Sequence, residues 1–522
     1  MSMGTRTRIR IATWRLRLSR LLPEARPRAA PDWAVWPWVA LVVALVLPWI
    51  TAPTLIPDSA EMLATGRCMM GLSGSEAMCS GLDMGRYPVL FPLLAGGGWA
   101  LGLSPMHAAI GLALLAAALC CAVGTHALER THRLAALLLP ALVLATPGLR
   151  AHLLTGDARG LMLLGLLGAV GWLTSAHRPG WQLGLWLSVA LLARPDALVA
   201  AAGFVLLCAV WRRRALTQAL PILAIAWAAQ HMLQLAGGGP RGWEMKLARL
   251  IKVVPDDWIF QMVGLGMEET AFRAQVIAAD LPSPPSSTGA WEWLIFALPV
   301  VVPVWLIAGA VAGIAVLIRD KQWRLLGGLG ALASPSAVVF VAAQAREQVL
   351  PAANLLPVLL CAAVLMAVAL GAGLRWAGRL IGITTSSQPG IPVAVGVGLC
   401  VILGTQSDYV QMDKPMEVGP AHAAAHDWLQ QHTAPQDAVA VSFRTGGIPL
   451  LADRKRVPLP ASWEVPAWLG RSDRPGHFIV SSIDSPGTHA TLRELEARIE
   501  TQPLVRFEDD TSVIWIYGLG GA

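Results

Sequence analysis

Three carboxylates and a handful of basic residues are the groups in this chain with the means to do chemistry. Asp58 and Glu61 fall in "TLIPDSAEMLATGR" (54–67), directly after an apolar run that begins near Trp33. Asp157 opens another apolar stretch in "LLTGDARGLML", two residues before Arg159. A positioned carboxylate can take the proton of a hydroxyl as its oxygen forms a new bond. An arginine can grip a phosphate or a carboxylate with two parallel hydrogen bonds. At the edge of an apolar segment an ionisable group is costly to desolvate, so it generally has a partner or a task.

The elements that must carry these groups are membrane helices. The chain has 522 residues, 55% of them apolar and only 14% charged, against about 25% charged in soluble domains. The composition is that of a polytopic α-helical membrane protein. The net charge of +7 is no nucleic-acid footprint, because Arg6, Arg8, Arg10, Arg15, Arg17, Arg20, Arg26 and Arg28 alone exceed it. A basic tail over 1–32 before a first span is what the positive-inside rule produces. Trp33–Ile50 lacks a clean small-residue cleavage site, which favours a retained span over a signal peptide.

Apolar runs long enough to span predict about 11 transmembrane helices: 33–52, 105–127, 134–149, 158–174, 180–194, 195–211, 216–236, 291–318, 323–344, 347–371 and 389–406. The stretch 180–211 reads as two spans, broken at Arg194-Pro195-Asp196 because Pro ends or kinks a helix. Alternation from a cytoplasmic N-terminus then puts nearly every short basic loop inside. It puts the segments 53–104 and 237–290, the turn near 150–157 and everything after about 407 outside. Asp58, Glu61 and Asp157 thereby share the outer face. A single boundary carboxylate is ordinarily just solvated; two loops bringing Asp to one membrane level favour a functional pair.

In the outer stretch, "RGWEMKLARLIKVV" sets Trp243, Leu247, Leu250, Ile251 and Val254 on one helical face and Lys246, Arg249 and Lys252 on another. That pattern fits an interfacial helix, with its basic side toward lipid headgroups or a bound phosphate. "DLPSPPSST" (280–288) after it reads as a flexible hinge. Residues 407–522 alternate helix and strand, as in a small extracytoplasmic α/β domain behind a membrane domain over 33–406. Cys68 and Cys79 share the first outer loop, where an oxidising compartment lets them pair as a disulfide. No CxxC spacing is present, and no metal ligands are assigned.

One span, then "PDSAEML", then "GRYPVLFPLLAG", resembles the start of the GT-C membrane glycosyltransferases, among them the lipid A aminoarabinose transferases and the protein O-mannosyltransferases. In that superfamily an Asp or Asp-Glu pair follows the first span, and a basic residue precedes a Pro-rich juxtamembrane helix. An Asp then ends the second outer turn, and an Arg precedes a Leu- and Pro-rich span. This chain offers Asp58, then Arg86 with Tyr87-Pro88, then Asp157, then Arg346 in "AREQVLPAANLLPVLL". It has Ser59 where Glu is usual and Tyr87 in place of the first Pro, so subfamily and acceptor stay open.

The resemblance implies inverting transfer of a sugar from a polyprenyl-phosphate donor to a lipid, glycan or protein acceptor, on the outer face of a bacterial inner membrane. Asp58 would be the base and Asp157 would orient the acceptor. Arg86, Arg346 and Lys246 or Arg249 would hold the phosphate, with Glu61, Tyr87 and Arg159 also lining the substrate site. No organic cofactor is implied; a divalent cation stays open. Two other classes share features with this reading. An O-antigen-type ligase or polymerase would use the same donor but rely on Arg and His of a large outer loop. A lipid-sugar transporter or flippase would show repeated halves and charges deep in mid-span.

Overall fold

The computed structural model describes residues within 54–236, 302–345, 355–380, 395–402 and 416–519, with short breaks that include 83–86, 154–155 and Asp157. The basic tail, the span 33–52, the stretch 237–290 and most of the span 389–406 lie outside the described residues.

The chain begins with a short strand, β1 (Thr54–Leu55), and three helices, α1 (Pro57–Met69), α2 (Glu76–Gly81) and α3 (Leu90–Ala100). A bundle follows: α4 (Pro105–Glu129), α5 (Arg133–Ala145), α6 (Pro147–Leu153), α7 (Arg159–Thr174), α8 (Gly180–Ala193), α9 (Ala197–Trp211) and α10 (Arg213–Ala236). It continues with α11 (Val304–Arg319), α12 (Trp323–Ala345) and α13 (Leu356–Leu380).

Among the described residues, His107–Glu129 and Leu356–Gly378 are each long and apolar enough to cross a membrane. Other apolar helices are shorter. The 14 residues of α8 rise about 21 Å at 1.5 Å per residue, less than a hydrocarbon layer of roughly 30 Å. Breaks at polar or proline residues set these lengths. Between α8 and α9, Pro195 lacks an N–H, and Arg194 pairs with Asp196 at 2.9 Å. The run 134–149, expected as one span, is also broken. Thr146 Oγ1 donates to the Leu142 carbonyl at 2.7 Å, and Pro147 opens α6, where its missing N–H costs nothing.

The centre of the bundle is α7, buried from Gly160 to Leu173. Its glycines let α8 approach closely: a side chain at Gly168 would collide with the Trp186 indole.

The chain then changes period. β2 (Met416–Glu417) returns to pair antiparallel with β1. The rest is α14 (Pro420–His432), β3 (Ala438–Val441), α15 (Gly447–Leu451), β4 (Lys455–Pro458), α16 (Val465–Leu469), β5 (His477–Ser481), α17 (Pro486–Ile499), β6 (Pro503–Glu508) and β7 (Val513–Gly518). The strands form one sheet in the order β4-β3-β5-β7-β6. β3 is parallel to β4 and β5, while β7 is antiparallel to β5 and β6.

Period-2 alternation divides the sheet between two helices. Val439, Val441, Ile479, Ile514 and Ile516 pack with Ala421, Ala425 and Leu429 of α14. Ala440, Phe478, Val480 and Tyr517 pack with Leu492 and Leu495 of α17.

Candidate active site at the seam of helix and sheet

α1 carries the first carboxylates, and it is enclosed. Residues 59–66 are all buried. Two glycines make that possible: a Cβ on Gly66 would strike the Pro92 carbonyl, and one on Gly96 the Gly66 carbonyl. With no side chain between them, the backbones of α1 and α3 touch. The crossing brings Tyr87, three residues before α3, against α1.

Glu61 is only 6% exposed, and its two oxygens are engaged from two parts of the chain. The Tyr87 hydroxyl donates to Oε2. The Arg456 guanidinium, on β4, forms an ion pair with Oε1. A buried carboxylate is tolerated because it has both a charge partner and a second donor. Asp58 stands three residues earlier in the same helix; its side-chain surroundings lie outside the described residues.

A second set of contacts sits two turns along α1. Arg67 Nη2 lies 3.2 Å from Asp453 Oδ2, its guanidinium covers the Trp99 ring at 4.3 Å, and its Nε donates to the Leu72 carbonyl at 3.1 Å. Asp453 also accepts from Ser73 Oγ at 2.6 Å and from the Gly74 N–H at 2.8 Å. Ser75 Oγ donates to the Pro435 carbonyl at 2.5 Å. Burial pushes the Arg67 guanidinium below its ordinary value and Asp453 pulls it back up; an arginine stays a cation through such shifts.

The turn before β4 faces both ways. Asp453 has a left-handed backbone, φ 64°, and points into the first loop. Arg454, 4% exposed, points the other way. It donates to the Gln430 carbonyl in the last turn of α14 at 3.2 Å and to the Thr433 carbonyl just after it at 2.5 Å. Its Nε donates to Thr433 Oγ1 at 2.7 Å.

Beneath this seam, Cys68 and Cys79 are joined as a disulfide with Cα atoms 5.6 Å apart, next to Ala64, Met78 and Leu450. Beside Tyr87, an apolar recess is lined by Pro88, Leu191, Leu198, Trp227 and Gln230, among others. The Val89 N–H donates to Gln230 Oε1 at 2.9 Å across its edge.

Of the residues singled out from sequence, Glu61 and Tyr87 are therefore in contact. Arg159 begins α7 and is half-buried. Arg86, Asp157, Lys246, Arg249 and Arg346 lie outside the described residues. No three His, Cys, Asp or Glu side chains converge among the described residues. Sequence reasoning missed Arg456 and Asp453. Their stretch, "LADRKRVP", looks like a solvated charge run, and its one usable signal is that it is wedged between apolar segments.

No protein-family model matches the chain, and no curated protein matches it. Solved structures do. ArnT from Cupriavidus metallidurans in the apo state aligns with a TM-score of 0.54 at 15% identity, covering 94% of this chain and 100% of ArnT. The same protein bound to undecaprenyl phosphate gives 0.57 at 15% identity, covering 93% and 99%. This chain has the ArnT fold. The likeness takes in the helices and the C-terminal sheet alike, since only 6% of the chain falls outside the apo alignment (100 − 94). At such identity ArnT informs the fold alone, and that fold is the one implied by the resemblance to GT-C transferases.

Proposed function

We propose that the protein is an inverting membrane glycosyltransferase of the GT-C type, which moves a sugar from a polyprenyl phosphate to an acceptor on the outer face of a bacterial inner membrane. The acceptor is a hydroxyl or comparable nucleophile of a lipid, a glycan or a protein. Residues 33–406 form the transmembrane domain, with 407–522 outside the cytoplasm.

The acceptor oxygen attacks the anomeric carbon as the bond from that carbon to the phosphate oxygen breaks. Asp58 takes the acceptor proton. Asp157 orients the acceptor, and the departing phosphate keeps the electron pair. A lipid phosphate is already a good leaving group, so it mainly needs cations to absorb its charge. Arg86, Arg346 and Lys246 or Arg249 supply them, with Arg159 nearby in sequence to Asp157. Attack opposite the leaving group inverts the anomeric centre.

The observation that carries this reading is Glu61: a buried carboxylate locked by Tyr87 and Arg456, within one turn of Asp58. Burying an ion pair is expensive, and the expense is reasonable where a neighbouring group must be held still. The recess beside Tyr87 is apolar and of a kind that suits an isoprenoid chain. That ArnT has been seen with undecaprenyl phosphate fits a lipid-phosphate donor.

The test is single-turnover release of polyprenyl phosphate from a synthetic polyprenyl-phosphate sugar by the purified protein in nanodiscs, with bacterial envelope lipids and glycans as acceptor pool. Release that depends on the acceptor pool, with product of inverted configuration, is expected. A protein that moves the intact lipid-sugar between leaflets without cleaving it would be a flippase, and this reading would be wrong.

A further inference from the structure

We infer that the C-terminal sheet is a working part of this site, and that Arg456 is a positioning residue which holds Glu61, and with it the first turns of α1, in catalytic alignment. The inference rests on the transferase reading and extends it to a residue 395 positions beyond Glu61.

The sheet grips α1 at two points rather than one. Arg456 holds Glu61, and Asp453 holds Arg67. These anchors are six residues apart, about 9 Å along the helix axis. One contact would let α1 pivot; two fix both its direction and its rotation about its own axis. Leu450, at the end of α15, adds an apolar contact between them through Ala64 and Met78.

The grip is also rigid. Asp453 accepts two bonds from the first loop and pairs with Arg67 of α1. Arg454, next to it, is bonded back to the end of α14. Arg456 itself lies in ladder register opposite Val439. The guanidinium is thus delivered to Glu61 by a backbone whose freedom is already spent, so little ordering cost remains.

Burial argues against simple adhesion. The Glu61 side chain is 8% exposed and that of Arg456 31%. A pair serving only to stick two surfaces together works equally well at a solvated rim, without desolvating a carboxylate on the helix that carries Asp58. Displacing a reacting group by about 1 Å can cost on the order of 100-fold in rate, so the alignment of α1 is worth that outlay.

The experiment uses the full-length protein in nanodiscs and two readouts: steady-state transfer from a synthetic polyprenyl-phosphate sugar, and amide hydrogen exchange over residues 57–69. Arg456→Gln should lower kcat by about 10- to 100-fold with donor KM moved less than about threefold. Exchange should rise in α1 and stay unchanged in β5 and β7. Arg456→Lys, which keeps a charge at nearly the same reach, should recover part of both. Glu61→Gln combined with Arg456→Gln should be no slower than the worse single variant, because the two act as a unit.

Wild-type kcat and wild-type α1 exchange in Arg456→Gln would overturn the inference. Exchange raised throughout the sheet would mark a merely structural residue and overturn it too. Should the wild-type protein release no polyprenyl phosphate, the transferase reading is what fails, and exchange over α1 then decides whether Arg456 positions this helix.

Discussion

The helical bundle and the seam between α1 and the sheet are held by opposite kinds of force. Inside the bundle, α7 is buried from Gly160 to Leu173 among glycine, leucine and tryptophan, while the ion pairs Arg194–Asp196 and Arg319–Asp320 sit at helix ends. At the seam, Glu61–Arg456, Arg67–Asp453, Ser73, Gly74 and Ser75 crowd polar bonds into a few residues. Dispersion between close-packed helices rewards contact and tolerates small slides. Charge-assisted hydrogen bonds are shorter, stronger and more specific in geometry. The bundle therefore supplies stiffness, and the seam supplies alignment.

Substitutions can separate the two. The largest loss is expected from Gly66→Val, where the new side chain meets backbone of α3 that cannot yield; about 3 kcal/mol, the upper end for overpacking, should appear as a depressed Tm. Gly330→Ala, with open space around it, is the bundle control and should leave Tm level or slightly raised. Cys68→Ala with Cys79→Ala, which opens a loop of sequence separation 11, should cost about 2–3 kcal/mol, and wild-type protein in reductant should show the same fall. Asp453→Ala strands Arg67 and two donors of the first loop, for about 1–2 kcal/mol, with rising protease sensitivity over 70–80.

Acid should loosen the sheet. His422 and His477 are both pushed down from their ordinary value by burial, partly countered by Asp509 and Asp437. The folded form resists protonation, so the unfolded chain binds more protons once pH drops below about 6.5, and stability falls with it. Thermal melts from pH 7.5 to pH 5 should show the sheet transition moving down, and His422→Leu should blunt the movement. The smallest effect belongs to Ser59→Ala. The Ser59 hydroxyl is fully buried with no hydrogen-bond partner among the described residues, so losing it should leave Tm level or slightly higher.

What the sequence made legible follows from the range of the forces. Apolar runs and proline breaks are local, so α4, α7 and the division of 180–211 at Pro195 could be read directly. The strands over 477–481 and 513–518 announce themselves by β-branched and aromatic alternation. β4 escaped because Lys455-Arg456-Val457-Pro458 is short and charged, and is paired on one side only. The site was half legible for the same reason. Glu61 could be singled out from its position after an apolar run, and Tyr87 from the motif around it, and the two are in contact. Arg456 acquires its meaning only when the sheet folds back onto α1, a contact across 395 residues that no local pattern encodes. Thr146, whose hydroxyl turns back on α5 before Pro147 starts a new helix, shows how one polar residue can divide what hydropathy reads as a single span.

The most direct test of the central claim is transfer by Asp58→Asn, which keeps shape and hydrogen bonding but cannot take a proton. With folding verified by size exclusion and by unchanged amide exchange in β5 and β7, turnover of a synthetic polyprenyl-phosphate sugar should fall by roughly 10²- to 10⁴-fold, with donor binding close to wild type. Near-normal turnover in that folded variant would contradict the account and remove Asp58 as the base.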